Sequence, residues 1–425
     1  MIFIYILLNI IIYFFSKSLF NKRINPISIY SIIWVIMLVG YELKLVYYYD
    51  LTLTTWFVII TFQLSYTIGC ILGQTRSDFY KRNYKQGYPI KSDSKKIKEK
   101  LRRIILTLSL ISAVGIIPNL LILIGNYGTN ILELTNQIYH DRLTNNRNFE
   151  LIPYIGTLIH IAVILSGIYI NRYGLRLFLF VPITLLILNV LPSGGRLDII
   201  LGLLYILLPS LMSNKPKTSK TKITPKQKLG VVTLISIILM VFIKLTNNRS
   251  SWVTPDAFMS PLMVKLVGIN PAFYKIYTYF TIPPGVLNAY LLEPTYNFGI
   301  NTMGPLINLF NKLGANLEYQ RYQEAYYIPI YTNVGSYIRE LIQDFTYLGG
   351  ISVVLIFGFL FSKFYYRVRI KGTFTYEILL CIFGVVIVMS FFMWQYRETI
   401  FWINTFLGIL IGLYFDRLVN KENQS

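Results

Sequence analysis

Charge is scarce in this chain. Of 425 residues only 14% are charged, against about 25% in ordinary soluble domains, while 54% are hydrophobic and 16% aromatic. That balance excludes an ordinary soluble globular protein. Acid is scarcer still: 19 Asp and Glu stand against 40 Lys and Arg, for a formal charge of +21. In a soluble protein such an excess points to nucleic acid; here its distribution along the chain decides the reading, and no nucleic-acid partner is expected. The only two cysteines, Cys70 and Cys381, both lie inside apolar runs, which argues against a disulfide framework, a cysteine metal site and thiol catalysis. No basic residue precedes the first apolar run and no Ala-x-Ala site follows it before Lys17, so that run reads as a membrane helix rather than a cleaved signal peptide.

What is abundant is apolar sequence of near-spanning length. Eleven candidate spans are read at 1–16, 27–48, 54–73, 104–125, 151–170, 177–191, 199–212, 229–245, 342–362, 374–394 and 400–415, because a bilayer core takes about 20 apolar residues per helix. The expected fold is an all-α polytopic membrane protein, divided into a membrane bundle 1–245, an extracytoplasmic loop domain 246–341, and a second bundle with a tail, 342–425. Orientation comes from lysine and arginine. Segment 75–103 holds eleven basic residues and three acids, 213–228 has six lysines and no acid, and 363–371 has Lys363, Arg367, Arg369 and Lys371 without acid. All three fall on one side under strict alternation. Counted by side, the inner face has 28 basic and 6 acidic residues, a net of +22, and the outer face 12 and 13, a net of −1, which together give the +21 of the whole chain. By the positive-inside rule the basic side is cytoplasmic.

Region 246–341 contains eleven tyrosines and Trp252. These either stack on sugar rings or form the aromatic belt of the membrane interface. Its apolar stretches near 262–280 and 303–313 read as short amphipathic helices on the membrane surface. The inner face uses mainly lysine, whereas seven of the twelve outer basic residues are arginine: Arg142, Arg147, Arg196, Arg249, Arg321, Arg339 and Arg397. Arginine is the residue that grips phosphate or carboxylate with a planar fork. The turn Pro192-Ser193-Gly194-Gly195-Arg196-Leu197-Asp198 brings two glycines and an arginine to the start of a helix, either as a tight turn capped by Asp198 or as an anion seat. In the short turn 394–398, Arg397 and Glu398 form a local ion pair or part of a site. His140, beside Asp141 and Arg142, is a candidate general base near its ordinary pKa of ~6.5, and His160 an interhelical hydrogen-bonder. Asp344, at the start of an apolar span, is either a functional carboxylate or one held by a helix dipole.

The Gly-Gly-Arg turn at 194–196, Asn301-Thr302-Met303-Gly304-Pro305-Leu306, Asp344-Phe345 with Gly349-Gly350, and Arg397-Glu398, on a polytopic chain with a large late outer loop, resemble the O-antigen and capsular repeat-unit polymerases. Ten residues separate Arg339 from Gly350, similar to an arginine-to-glycine spacing in the outer loops of such enzymes. The usual pattern has glycine directly after Asp-Phe, where this chain has Thr346. The resemblance implies a membrane glycosyltransferase with a C-type helical bundle in the bacterial cytoplasmic membrane. Its implied reaction joins undecaprenyl-diphosphate-linked oligosaccharide repeat units at the outer leaflet, building O-antigen, and hence lipopolysaccharide, or capsule. It implies a metal-independent reaction with no cofactor, catalysed by His140, Asp344 or Glu398, with the seven outer arginines binding diphosphate and glycan. The implied partners are the lipid-linked glycan, the bilayer and a chain-length regulator protein. Two rival readings are an O-antigen ligase, close in fold and chemistry, and a lipid-linked oligosaccharide flippase or other transporter. The near absence of mid-span charges counts against the latter.

Overall fold

The computed structural model describes residues 1–83, 95–129, 131, 133–134, 137–138, 141, 154–193, 197–212, 236, 240, 243–247, 256–317 and 323–424. In chain order the helices are α1 (Ile2–Phe20), α2 (Pro26–Glu42), α3 (Leu53–Asn83), α4 (Lys95–Tyr127), α5 (Ile159–Tyr173), α6 (Phe180–Ser193), α7 (Leu197–Met212), α8 (Pro261–Ile269), α9 (Ala272–Thr281), α10 (Pro283–Tyr290) and α11 (Ile300–Lys312). A two-residue hairpin, β1 (Tyr326–Tyr327) and β2 (Tyr331–Thr332), pairs Tyr326 with Thr332 and Tyr327 with Tyr331. Three long helices close the chain: α12 (Tyr337–Lys371), α13 (Phe374–Val388) and α14 (Thr399–Gln424).

The helical, multi-pass character expected from the sequence is present, but with fewer full-length spans. Six helices among the described residues are long and apolar enough to cross a membrane: Ile2–Phe20, Leu53–Gln74, Lys95–Tyr127, Tyr337–Arg369, Phe374–Phe391 and Thr399–Glu422. Eleven were expected. Three of the others form shorter apolar helices, Pro26–Glu42, Leu177–Leu191 and Leu197–Met212; at 1.5 Å per residue even the 17 residues of α2 reach only about 25 Å, short of a core of about 30 Å. Of the span expected at 151–170, the described part is a 3-10 turn at Gly156–Leu158 followed by the 15-residue α5, which protein buries along almost its whole length. Most of 229–245 lies outside the described residues.

The chain forms two compact units, each described in turn. The first is Met1–Gly87, Trp252–Arg367 and Val386–Trp402. Its α1–α2 turn follows from local chemistry. Asn21 takes the left-handed conformation (φ 51°) that ends α1, and Asn25 caps α2 reciprocally with Ser28, at 3.0 and 2.9 Å, ahead of Pro26. Gly69 and Gly73 let α3 lie directly on α12: a Cβ at either would collide with the Leu355 or Phe359 carbonyl, as one at Gly358 would with that of Tyr66. Helices in lipid gain their packing from such small-residue contacts. One hydrophobic core of this unit consists of Tyr41, Val46, Tyr48, Met259, Met263, Tyr274, Ile282, Val286 and Ile328. Asn288 Oδ1 ties it to α3 by accepting hydrogen bonds from Thr52 N (2.8 Å), Thr52 Oγ1 (3.0 Å) and Thr55 Oγ1 (2.7 Å).

The second unit is Tyr88–Ser251, Val368–Val385 and Ile403–Ser425. There Gly167 of α5 lies against the Tyr205 carbonyl of α7. Asp416 of α14 caps α13, accepting from Phe374 N (2.7 Å) and Thr375 Oγ1 (2.7 Å). Arg172 joins α5 to α13 through Glu377, at 2.6 Å. This contact, like those of Ile24 with Tyr365 and of Val46 with Met259, links segments that the charge alternation places on one side.

Candidate functional site

A cluster of polar residues of the first unit lies on the first two turns of α12, just before its apolar stretch. Glu340 and Asp344 are one turn apart on one face; Arg339 and Gln343 share the adjacent stripe. All four are buried. The helix is broken directly after Asp344-Phe345, where Thr346 has φ 61° and ψ −178°. Only glycine takes that backbone conformation without strain.

Asp344 holds α11 by its N-terminus. Its Oδ1 accepts from Asn301 N (2.9 Å) and its Oδ2 from Thr302 N (2.7 Å) and Thr302 Oγ1 (2.6 Å). A carboxylate among free N–H groups at a helix start satisfies donors that would otherwise be unpaired and complements the helix dipole. The ends of the arrangement are tied further by Gln323, whose amide donates to Asn301 Oδ1 (2.6 Å), and by Trp394, whose indole donates to Thr302 Oγ1 (3.1 Å).

The same Trp394 leads to the second carboxylate. Its backbone N donates to Glu340 Oε2 (2.6 Å), and Arg397 Nη1 donates to Glu340 Oε1 (3.1 Å). Both members of this ion pair are nearly inaccessible, at 9% and 3% side-chain exposure. Arg397 thus engages an acid 57 residues earlier in the chain.

Arg339 is bound differently. Its guanidinium is fully buried, 4.8 Å from the ring centre of Tyr326 and 5.7 Å from that of Tyr290, within cation–π range. Burial pushes both phenols above their ordinary value, so the rings meet the cation as neutral faces. Nη2 donates to the Glu324 carbonyl (2.9 Å), while Nε and Nη1 have no hydrogen-bond partner among the described residues. The same holds for Ser336 Oγ and both polar atoms of the Gln395 side chain, also fully buried. Unpaired buried donors on a cation are expensive to leave unmet.

Of the residues expected from sequence, Arg339, Arg397 and Asp344 are brought together here. Glu398 is half-buried at the turn into α14, its carbonyl accepting from Phe401 N (3.0 Å). His140, Arg142, Arg147, Arg196, Arg249 and Arg321 lie outside the described residues. In the second unit His160 is fully buried 3.8 Å from Asp198, beyond hydrogen-bonding reach, and neither ring nitrogen has a hydrogen-bond partner among the described residues. Sequence reasoning missed Glu340, Trp394, Thr302, Tyr326 and Tyr290. Glu340 carried a signal, being an acid beside an arginine at the start of an apolar run; the aromatic partners of Arg339 carried none beyond tyrosine abundance. Among the described residues no three metal-ligating side chains converge. In comparisons with known proteins no family model matches this chain, and no curated protein or solved structure is similar to it.

Proposed function

We propose that the protein is a bacterial cytoplasmic-membrane glycosyltransferase that polymerises undecaprenyl-diphosphate-linked oligosaccharide repeat units at the outer leaflet, for O-antigen or capsule. The observation that carries this reading is Arg339: a buried cation with unmet N–H donors, on the arginine-bearing outer side of a membrane-spanning chain. Such a group suits a dianionic, lipid-borne ligand.

In this reaction an acceptor hydroxyl oxygen forms a bond to the anomeric carbon of the growing glycan as the bond from that carbon to the phosphate oxygen breaks. The hydroxyl proton goes to a base and the electron pair leaves with the diphosphate. Negative charge grows on the leaving group, and fixed arginines stabilise it without reorganising. Arg339 is assigned to that charge. Arg397, oriented by Glu340 and the Trp394 backbone, lies in the same network as the second outer cation. Asp344 already accepts three hydrogen bonds from α11, which supports a positioning role for it and leaves Glu398 and His140 as the candidate bases.

The test is chain length on the cell surface. Deleting the gene should leave single repeat units attached to their acceptor. Loss of every repeat unit would identify a ligase, and an accumulation of lipid-linked units on the inner leaflet a flippase; either would overturn the proposal.

A further inference from the structure

α11 is built inside out. Its buried side chains are Asn301 and Thr302, with Gly304 and Pro305, while Met303, Leu306, Leu309 and Phe310 are 39–51% exposed and Leu313, just past its end, is 76% exposed. Positions 303, 306, 310 and 313 follow the three-to-four-residue spacing that puts them on one stripe. In contact with water the helix would gain by turning this stripe inward. It is prevented from doing so by the polar bonds on its other side, to Asp344 and Trp394.

The helix that holds it indicates what covers the stripe. Asp344 lies near the outer end of the span Tyr337–Arg369. One turn beyond it Leu348 is 78% exposed, and Ile356 further along is 55% exposed, so α12 presents apolar surface to lipid from that level onward. The cap therefore sets the first turn of α11 at the depth where hydrocarbon begins. Lys312, exposed at the far end of the stripe, is placed to reach headgroups. α9 repeats the inversion, with Lys275, Thr278 and Thr281 buried and Phe273, Ile276 and Tyr279 exposed.

We infer that α11 lies in the outer interface of the bilayer with its Met303–Leu306–Phe310–Leu313 stripe in lipid hydrocarbon. The hydrogen-bonded series from Thr302 and Asp344 through Trp394 to Glu340 and Arg397 is thereby fixed at headgroup depth. The inference concerns the lipid surface itself and holds whatever substrate the site takes.

Full-length protein in phosphatidylethanolamine–phosphatidylglycerol vesicles tests it. Both native cysteines are buried, so a nitroxide can be attached at Leu306→Cys or Phe310→Cys, with Tyr331→Cys, exposed on the hairpin, as the aqueous reference. The expected result is an oxygen-to-nickel-chelate collision ratio several-fold higher at 306 and 310 than at 331. Ratios equal to that at 331 would overturn the inference by showing water. A spectrum immobilised at both positions and closed to both reagents would overturn it equally, by showing a second copy or another protein on the stripe. Because the two positions are read independently, failure of one variant to fold leaves the other to decide.

Discussion

Two arginines, one in each unit, are handled in opposite ways. Arg172 is closed: Nε and Nη2 both donate to Glu377, at 2.8 and 2.6 Å, Nη2 also reaches the Gly372 carbonyl at 2.9 Å, and the guanidinium stacks 3.8 Å from the centre of Phe374. Arg339 is more deeply buried, yet has one carbonyl, two aromatic faces and two nitrogens with unmet donors. Arg172 is neutralised by a carboxylate and fastens two helices. Arg339, stabilised by rings, retains its charge and its fork. The contrast supports a structural role for the first and, under the proposed function, a binding role for the second.

The sharpest break of this comparison is Glu377→Ala. It strands Arg172 in a buried site and should cost about 3–5 kcal/mol of stability, seen as lower abundance in the membrane and a lower unfolding temperature, while each folded molecule still polymerises. Arg339→Lys should do the reverse: normal abundance and melting, with polymer formation falling about 100-fold or more, the usual consequence of losing a preorganised donor to developing charge. If both variants lose abundance in parallel, the two arginines are of one kind. Asp344→Asn is expected to lie between them, weakening the cap of α11 by about 1–2 kcal/mol and lowering both thermal stability and polymer length in a single-turnover gel assay. The smallest change is expected to be favourable. Thr346→Gly relieves a backbone strain of about 1–3 kcal/mol, partly offset by glycine's greater chain entropy of about 0.5–1 kcal/mol, so melting should rise slightly with activity kept; a fall would mean that the Thr346 side chain contributes more than its backbone costs.

Much of the helical architecture was legible because hydrophobic run length reports directly on lipid. α1, α3, α4, α12, α13 and α14 each overlap an expected span. Six of the eleven expected spans are full-length helices among the described residues; run length and composition alone do not separate a short buried helix such as α5 from a spanning one. At the site, Asp344 and Arg397 were visible as ionisable groups at membrane boundaries. Their partners were not, because the bonds of Asp344 to Asn301 and Thr302, and of Arg397 to Glu340, join residues 42–57 apart that only folding brings together. The motif 301–306 stood out in sequence as a resemblance; in the structure its first two residues are the ones capped by Asp344. Thr346 takes a backbone geometry usual for glycine, which a sequence cannot display.

The central claim is that Arg339, and not Arg172, is open to an anionic ligand, and a binding titration tests it most directly. Undecaprenyl diphosphate would be titrated by calorimetry into purified wild-type, Arg339→Lys and Arg172→Lys proteins in lipid nanodiscs, with undecaprenol as the uncharged reference. The account predicts saturable, diphosphate-dependent binding that Arg172→Lys retains and Arg339→Lys weakens at least tenfold, a loss of about 1.4 kcal/mol or more. Wild-type affinity in the Arg339→Lys protein would contradict it.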